Sequence, residues 1–311
     1  MRRILLTGLN GQVGQELQRT LAPLGEVIGA GRETLDLAQP ASIRQSISTV
    51  SPDVIVNAAA YTAVDKAETE TELAHAINAV APQILAEEAQ RLGAALIHIS
   101  TDYVFDGRKN TPYTEDDATN PLSVYGKSKL LGEEGIRKIG VSATAHSELR
   151  HIILRTAWVY GTYGKSNFVK TMLRLFAERE EVRVVADQVG TPTWARDIAE
   201  AIATLLPQLS PEQAQEAPIT GIYHFTNSGV ASWYDFAIAI FEEAKLLGFP
   251  LKVQRIVPIT TAEYPTPAQR PAYSVLSGKK VSVALGTHPP YWRDALRQML
   301  QEFYSYTNQH T

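Results

Sequence analysis

The sequence predicts a doubly wound α/β fold, a parallel sheet with helices on both faces followed by a smaller, mostly C-terminal unit. Three observations carry that prediction. Short β-rich runs alternate with helical stretches through the first half of the chain. The strand cores Ile4-Leu5-Leu6, Val54-Ile55-Val56 and Leu96-Ile97-His98-Ile99 are nearly all apolar, as strands covered on both faces must be. A glycine-rich turn, Thr7-Gly-Leu-Asn-Gly-Gln-Val-Gly14, joins the first strand to the first helix.

In chain order, strands are expected over 3–7, 26–29, 53–57, 95–100 and 151–155, with helices between them over 12–22, 41–50, 72–92 and 124–139. After about Trp158 the pattern loosens into a helix at 168–178, a strand at 182–185 and a helix at 196–206. The Pro/Gln/Glu-rich stretch 207–218 reads as an exposed loop. A strand at 223–225, a helix at 234–247, a Pro-rich passage at 258–271 and an amphipathic helix at 292–303 complete the chain. The boundary falls near Trp158. Residues 1–158 then form the first domain and 159–311 mainly the second, with the segments around 182–206 and 221–226 free to return to the first sheet.

Composition narrows the function classes. The 311 residues are 44% hydrophobic and 20% charged, which suits a soluble globular protein. A net charge of −4 without a basic stripe argues against nucleic acid as a partner. Cysteine is absent, so disulfides, thiolate nucleophiles and Cys-ligated metals are excluded, and a cytoplasmic location is expected. The apolar start stops at Gly8, too soon for a signal peptide, and no apolar run is long enough to span a membrane.

Gly8, Gly11 and Gly14 sit between a strand and a helix, where glycines let backbone N–H groups approach a pyrophosphate at the positive end of the helix dipole. Asn10 belongs to the same turn. A plain strand-to-helix turn is the competing reading. The second strand ends in Gly29-Ala-Gly-Arg32, without the acid that usually holds an NAD ribose. Arg32 suits a 2′-phosphate, which favours NADPH over NADH, with an ordinary solvated arginine as the alternative. Asp36-Leu37 is a candidate for the adenine edge, and Asn57-Ala58-Ala59-Ala60 offers small residues beside a flat cofactor.

Tyr125 and Lys129 lie four apart on a predicted helix and so share a face. An ammonium within a few ångströms would lower a phenol's pKa by roughly 1–3 units from its ordinary value of about 10. The phenol could then exchange a proton with a carbonyl oxygen. The strand before them runs into Thr101-Asp-Tyr-Val-Phe-Asp-Gly107, which puts the Thr101 hydroxyl at a strand's carboxyl end. There it could bond the same carbonyl oxygen as its charge develops.

The runs Thr7–Gly14, Thr101–Gly107 and Tyr125–Lys129 together resemble the extended short-chain dehydrogenase/reductase family, whose cofactor domain is a Rossmann sheet. Three further runs narrow the likeness: Asn57-Ala-Ala-Ala-Tyr-Thr-Ala-Val-Asp-Lys-Ala-Glu68, Leu154-Arg-Thr-Ala-Trp-Val-Tyr160 and Tyr264-Pro-Thr-Pro-Ala-Gln-Arg-Pro271. They resemble the dTDP-4-dehydrorhamnose reductases of the rhamnose-precursor pathway, from Arg2 to about Leu300. The resemblance implies an NADPH-dependent reduction of a dTDP-linked 4-keto sugar. It makes Tyr125 the proton donor and Lys129 the residue that binds the nicotinamide ribose and lowers the Tyr125 pKa. Thr101 would orient the C4 carbonyl. Gln12, Val13, Asp36, Leu37, Ala60 and Thr62 would line the cofactor site, and Val64, Asp102, Tyr103 and Trp158 would touch the sugar nucleotide. Arg270 is a candidate for the substrate pyrophosphate, or else part of a structural salt bridge.

Other residues have plainer readings. The seven histidines show no metal-like spacing, and His98, inside an apolar strand, reads as a core or strand-face residue. Tyr103 and Phe105 alternate as strand residues do, so core packing competes with a ligand role. Some members of the family hold a divalent metal with glutamates at a dimer interface. Glu16 matches one such position, but Arg196 stands where a glutamate is required, so no metal is expected and the homodimer is left open. Two other functions compete: a reductase or epimerase for a different nucleotide sugar, and a non-catalytic regulatory subunit resembling that of methionine adenosyltransferase. The intact Thr101, Tyr125 and Lys129 set argues against the second.

Overall fold

The structure, a computed structural model, describes residues 1–140, 148–210 and 219–309. Five strands of the main sheet come from the first half of the chain: β1 Arg3–Thr7, β2 Glu26–Ala30, β3 Val54–Asn57, β4 Ala95–Thr101 and β5 His151–Thr156. A sixth, Gly221–His224, arrives later and pairs with β5. The order across the sheet is Gly221–His224, β5, β4, β3, β1, β2, and every pairing is parallel. Parallel neighbours need long crossovers, which the intervening helices supply.

The two-residue period of a strand divides the apolar residues between the faces. On one side Ile4, Leu6, Val56 and Ile97 meet Leu17 and Leu21 of helix Gln12–Leu21, together with Ile198, Ile202 and Leu205 of helix Ala195–Leu205. On the other, Leu5, Ile55, Leu96 and Ile153 meet Ile43 and Ile47 of helix Pro40–Val50 and Ile84, Leu85 and Ala89 of helix Ala81–Leu92. Each such valine, leucine or isoleucine side chain contributes about 1.5–3 kcal/mol through burial. Truncating the fully buried Leu5 to alanine would cost about 2–5 kcal/mol.

The helix expected over 72–92 is interrupted. Helices Thr71–His75 and Ala81–Leu92 are joined by a wider π-type turn, Ala76–Val80. Asn78 lies buried in that turn, where its amide bonds both the N–H and the C=O of Tyr61 at 2.9 and 3.0 Å and the Ser128 hydroxyl at 3.1 Å. Apolar periodicity carries no signal for such an insertion.

A second core gathers Tyr160, Val169, Phe176, Trp194, Phe236, Ile240 and Leu296. Strand Glu181–Val185 belongs here, paired in parallel with Arg255–Ile259, whereas helix Ala195–Leu205 packs on the main sheet. Within the expected loop at 207–218, Leu206–Leu209 opens as a 3-10 turn and residues 211–218 lie outside the described residues. The last helix runs past residue 303, over Trp292–Gln309.

The chain leaves β1 for β2 on one side and returns to β3 on the other. Between β1 and β3 the direction of winding reverses, and the carboxyl ends of the strands part to open a crevice.

Candidate active site

That crevice is a cleft of about 760 Å³. Its floor is the carboxyl ends of β1, β3, β4 and β5, and Trp158 and the loop at 164–166 close one side. Gly8 has a φ of +73°, and a Cβ there would sit 2.7 Å from the Ala58 carbonyl carbon and the Ala59 nitrogen. A Cβ on Gly14 would lie 2.0 Å from the Gly8 oxygen. Side chains at either position would push the turn out of shape. Helix Gln12–Leu21 starts from Gly11, whose missing side chain leaves the first N–H groups uncapped. Uncapped N–H groups and the helix dipole make this end of the cleft fit a pyrophosphate.

The cofactor candidates Gly8, Asn10, Gly11, Gln12, Val13, Arg32, Asp36, Leu37, Ala58, Ala59, Ala60 and Thr62 all line the cleft, while Gly14 sits behind the turn. Arg32 is 79% exposed, with its Nε 3.8 Å from the Asp36 carboxylate, so its guanidinium is free to meet a phosphate. Sequence reading passed over Ala30, Leu35, Ile77 and the loop Gly164-Lys165-Ser166, which line the same space. The glycines and lysine of Gly161-Thr-Tyr-Gly-Lys-Ser166 were the available signal for that loop.

Thr101, Tyr125 and Lys129 converge on the cleft floor. Gly126 makes this close, because its Cα faces the Tyr103 carbonyl and a Cβ would fall 2.3 Å from that oxygen. The Tyr103 ring meets the Tyr125 ring edge-on at 5.4 Å. The Thr101 hydroxyl donates to Asp102 Oδ1 at 3.0 Å and accepts from the Tyr103 N–H at 3.2 Å.

Here one expectation is corrected. Burial pushes the Tyr125 phenol up to about 12, against a lowering by its hydrogen bond with Thr101, and Lys129 does not pull it down. The ammonium lies on the sheet side, 2.7 Å from the Ile99 carbonyl oxygen and 3.2 Å from His98 Nε2. Burial, opposed by Glu133, brings Lys129 itself down to about 8. At neutral pH the phenol therefore holds its proton and the lysine holds its charge.

Val64, Asp102, Tyr103 and Trp158, the candidates for the sugar nucleotide, line the same cleft. Asp102 is buried, and burial pushes its carboxyl up to about 6 against the lowering by hydrogen bonds from Ser274 and Thr101. Trp158 adopts the left-handed backbone region at φ 49°, which a non-glycine residue holds only when its surroundings enforce it. Its ring stacks in parallel on Trp233, with centroids 3.5 Å apart. Arg270 is not among the residues lining the cleft, and it forms a salt bridge: it grips Asp65 with two N–H···O bonds of 2.8 and 3.1 Å and holds that carboxyl below its usual range.

The glutamate position of the family's metal is filled differently. The Arg196 guanidinium pairs with Glu302 and lies 3.8 Å from Glu16, which Arg19 also contacts at 2.6 Å. A donor set that already contains its own cation does not fit a divalent metal.

Comparison with known proteins places the chain among reductases of one family. The family model of the RmlD substrate binding domain matches residues 1–305. A dTDP-4-dehydrorhamnose reductase of Burkholderia thailandensis is 46% identical over 305 residues, covering 97% of this chain and 99% of the relative. The Escherichia coli K12 enzyme of the same name is 43% identical, covering 98% and 99%. Among solved structures, dTDP-4-dehydrorhamnose reductase from Bacillus anthracis in complex with NADP superposes with a TM-score of 0.86 at 36% identity, covering 97% of this chain and 100% of that one. A Thermus thermophilus UDP-glucose 4-epimerase complex, at 22% identity and a TM-score of 0.77, shares the fold.

Proposed function

The chain belongs to the family of the dTDP-4-dehydrorhamnose reductases, and from that membership we infer that it reduces the C4 ketone of dTDP-4-dehydro-L-rhamnose to dTDP-L-rhamnose with NADPH. The observation that carries the reading is the convergence of Thr101, Tyr125 and Lys129 on one cleft whose other end is the glycine turn.

When bound, NADPH supplies the hydride that becomes the new C–H bond at C4 of the sugar. The chain's own groups handle the oxygen. Tyr125, protonated at neutral pH, gives its proton to the carbonyl oxygen as the C=O π pair moves onto it, and solvent then reprotonates the phenolate. Thr101 turns its hydroxyl from Asp102 to that oxygen and stabilises the developing charge. Lys129 presents N–H donors to the nicotinamide ribose from the floor. Arg32 meets the 2′-phosphate, and the stacked Trp158 bears on the sugar nucleotide.

The test is spectrophotometric: NADPH oxidation with freshly generated dTDP-4-dehydro-L-rhamnose, and identification of dTDP-L-rhamnose as product. Turnover of another nucleotide-linked keto sugar in its place would redirect the assignment to that sugar. Tight NADPH binding with no oxidation by any keto sugar would turn it toward a regulatory subunit.

A further inference from the structure

A line of polar side chains runs beneath the cleft, through strands whose preceding residues are apolar. Thr7, Asn57 and His98 occupy one register rung of three adjacent strands, Thr7 opposite Asn57 and Asn57 opposite His98. All three are buried, while the residues before them, Leu6, Val56 and Ile97, are part of the core. Their side chains form a continuous chain. Thr7 Oγ1 is 2.6 Å from Asn57 Oδ1, Asn57 Nδ2 is 2.9 Å from His98 Nδ1, and His98 Nε2 is 3.2 Å from Lys129 Nζ. Three buried hydrogen-bonding groups in an apolar sheet cost stability unless each is satisfied.

The ammonium dictates the direction of these bonds. It carries only donors, so the imidazole nitrogen facing it must offer a lone pair. His98 Nε2 is then bare and the ring proton sits on Nδ1. An Nδ1–H needs an acceptor, and Asn57 provides one when its amide oxygen faces the ring. Its NH2 then donates to Thr7 Oγ1. Amide oxygen and nitrogen have the same outline, so this orientation leaves every heavy-atom position unchanged. Burial and the neighbouring ammonium hold His98 well below its usual pKa, so no second positive charge arises beside Lys129.

We propose that His98 is a positioning residue for Lys129: its Nε2 lone pair holds the ammonium at the cleft floor, and Asn57, seated by Thr7, accepts the Nδ1–H that this tautomer carries. The functional consequence rests on the reading of Lys129 as the ribose-binding residue, whereas the tautomer does not.

The first measurement is therefore spectroscopic, on the whole protein with 15N-labelled histidine, His98 being assigned by its loss in His98→Gln. An Nδ1–H, bare-Nε2 ring at neutral pH is expected; an Nε2–H ring overturns the proposal. The second is kinetic. His98→Leu removes the acceptor and should raise the NADPH dissociation constant about tenfold or more. In His98→Gln, whose side-chain oxygen can accept from the ammonium, most of that loss should be recovered. Equal losses in both variants, or none in either, count against a positioning role. Should the leucine variant fail to fold, Asn57→Leu leaves the Nδ1–H without its acceptor instead: the ring should keep Nδ1–H because the ammonium still faces Nε2, and a ring that turns to Nε2–H overturns the proposal. Failure of the wild-type protein to reduce any keto sugar would refute the proposed reaction while leaving the tautomer result standing.

Discussion

The helix that carries Tyr125 is fastened to the sheet at two points one turn apart, and the two are built from opposite chemistry. At Lys129 the partners are neutral, the Thr7–Asn57–His98 rung and the Ile99 carbonyl. At Glu133 they include a full countercharge. Arg155 grips that carboxylate through bonds of 2.6 and 3.0 Å, Ser100 adds another at 2.5 Å, and His224 stands 3.4 Å behind Arg155. Ser100, Arg155 and His224 form a second register rung across β4, β5 and the sixth strand. Both rungs are buried. The difference lies in what each leaves over. The Glu133 charge is matched in place and holds the helix, whereas among the described residues no carboxylate lies within ion-pair distance of Lys129. An unmatched ammonium on a cleft floor is available to a ligand.

Four experiments test that contrast. The largest effect is expected at the residue both fastenings serve. Tyr125→Phe should lower turnover about 10²–10⁴-fold while cofactor binding persists, as measured by steady-state rates and fluorescence titration with NADPH. Near-complete retention of turnover would remove Tyr125 from its role as donor.

Breaking the charged fastening should show in stability first. Arg155→Leu leaves Glu133 buried without its partner and should cost about 3–5 kcal/mol in denaturant unfolding. A loss below 1 kcal/mol would mean that the rung does not hold the helix.

The neutral fastening should show in pH dependence. The folded-state pKa of Lys129, about 8, lies below its unfolded value of 10.5. Its positive charge is present below pH 8 and lost above it with one of its three protons, so kcat/KM should fall about tenfold per unit once the pH passes 8. Between 8 and 10.5 the unfolded chain binds more protons at this site than the folded one, so this group's contribution to stability should rise with pH over the same window. Rates and unfolding curves collected together from pH 7 to 10 would reveal the opposed trends; activity flat to pH 10 would contradict them.

The smallest effect belongs to a residue outside both fastenings. Arg32→Ala should lower the preference for NADPH over NADH about tenfold, the worth of one exposed charge-assisted contact. An unchanged ratio of kcat/KM values would place the 2′-phosphate elsewhere.

Much of the site was written in local spacing. Gly8, Gly11 and Gly14 stand at the strand-to-helix turn that a pyrophosphate needs, and Tyr125 and Lys129 do share a helix face. The strand alternation likewise separates Ile4 and Leu6 from Leu5 onto opposite faces of the sheet. What that spacing could not supply is the balance of forces at Tyr125. Four residues of separation suggest an ammonium lowering the phenol, yet burial prevails and Lys129 turns to the sheet.

Which elements form was legible along the chain, because helical and strand periods are properties of a few consecutive residues. So was the chemical inventory of the cleft and, through the motifs, the family. Only the tertiary structure decided that His98, read along the chain as a core residue, stands in line with Thr7 and Asn57 beneath Lys129. The same holds for Arg270 on Asp65 and for Trp158 stacked on Trp233. The physical reason is register: parallel neighbours are joined by crossovers tens of residues long, so which side chains share a rung is set by how the helices pack and not by spacing in the chain.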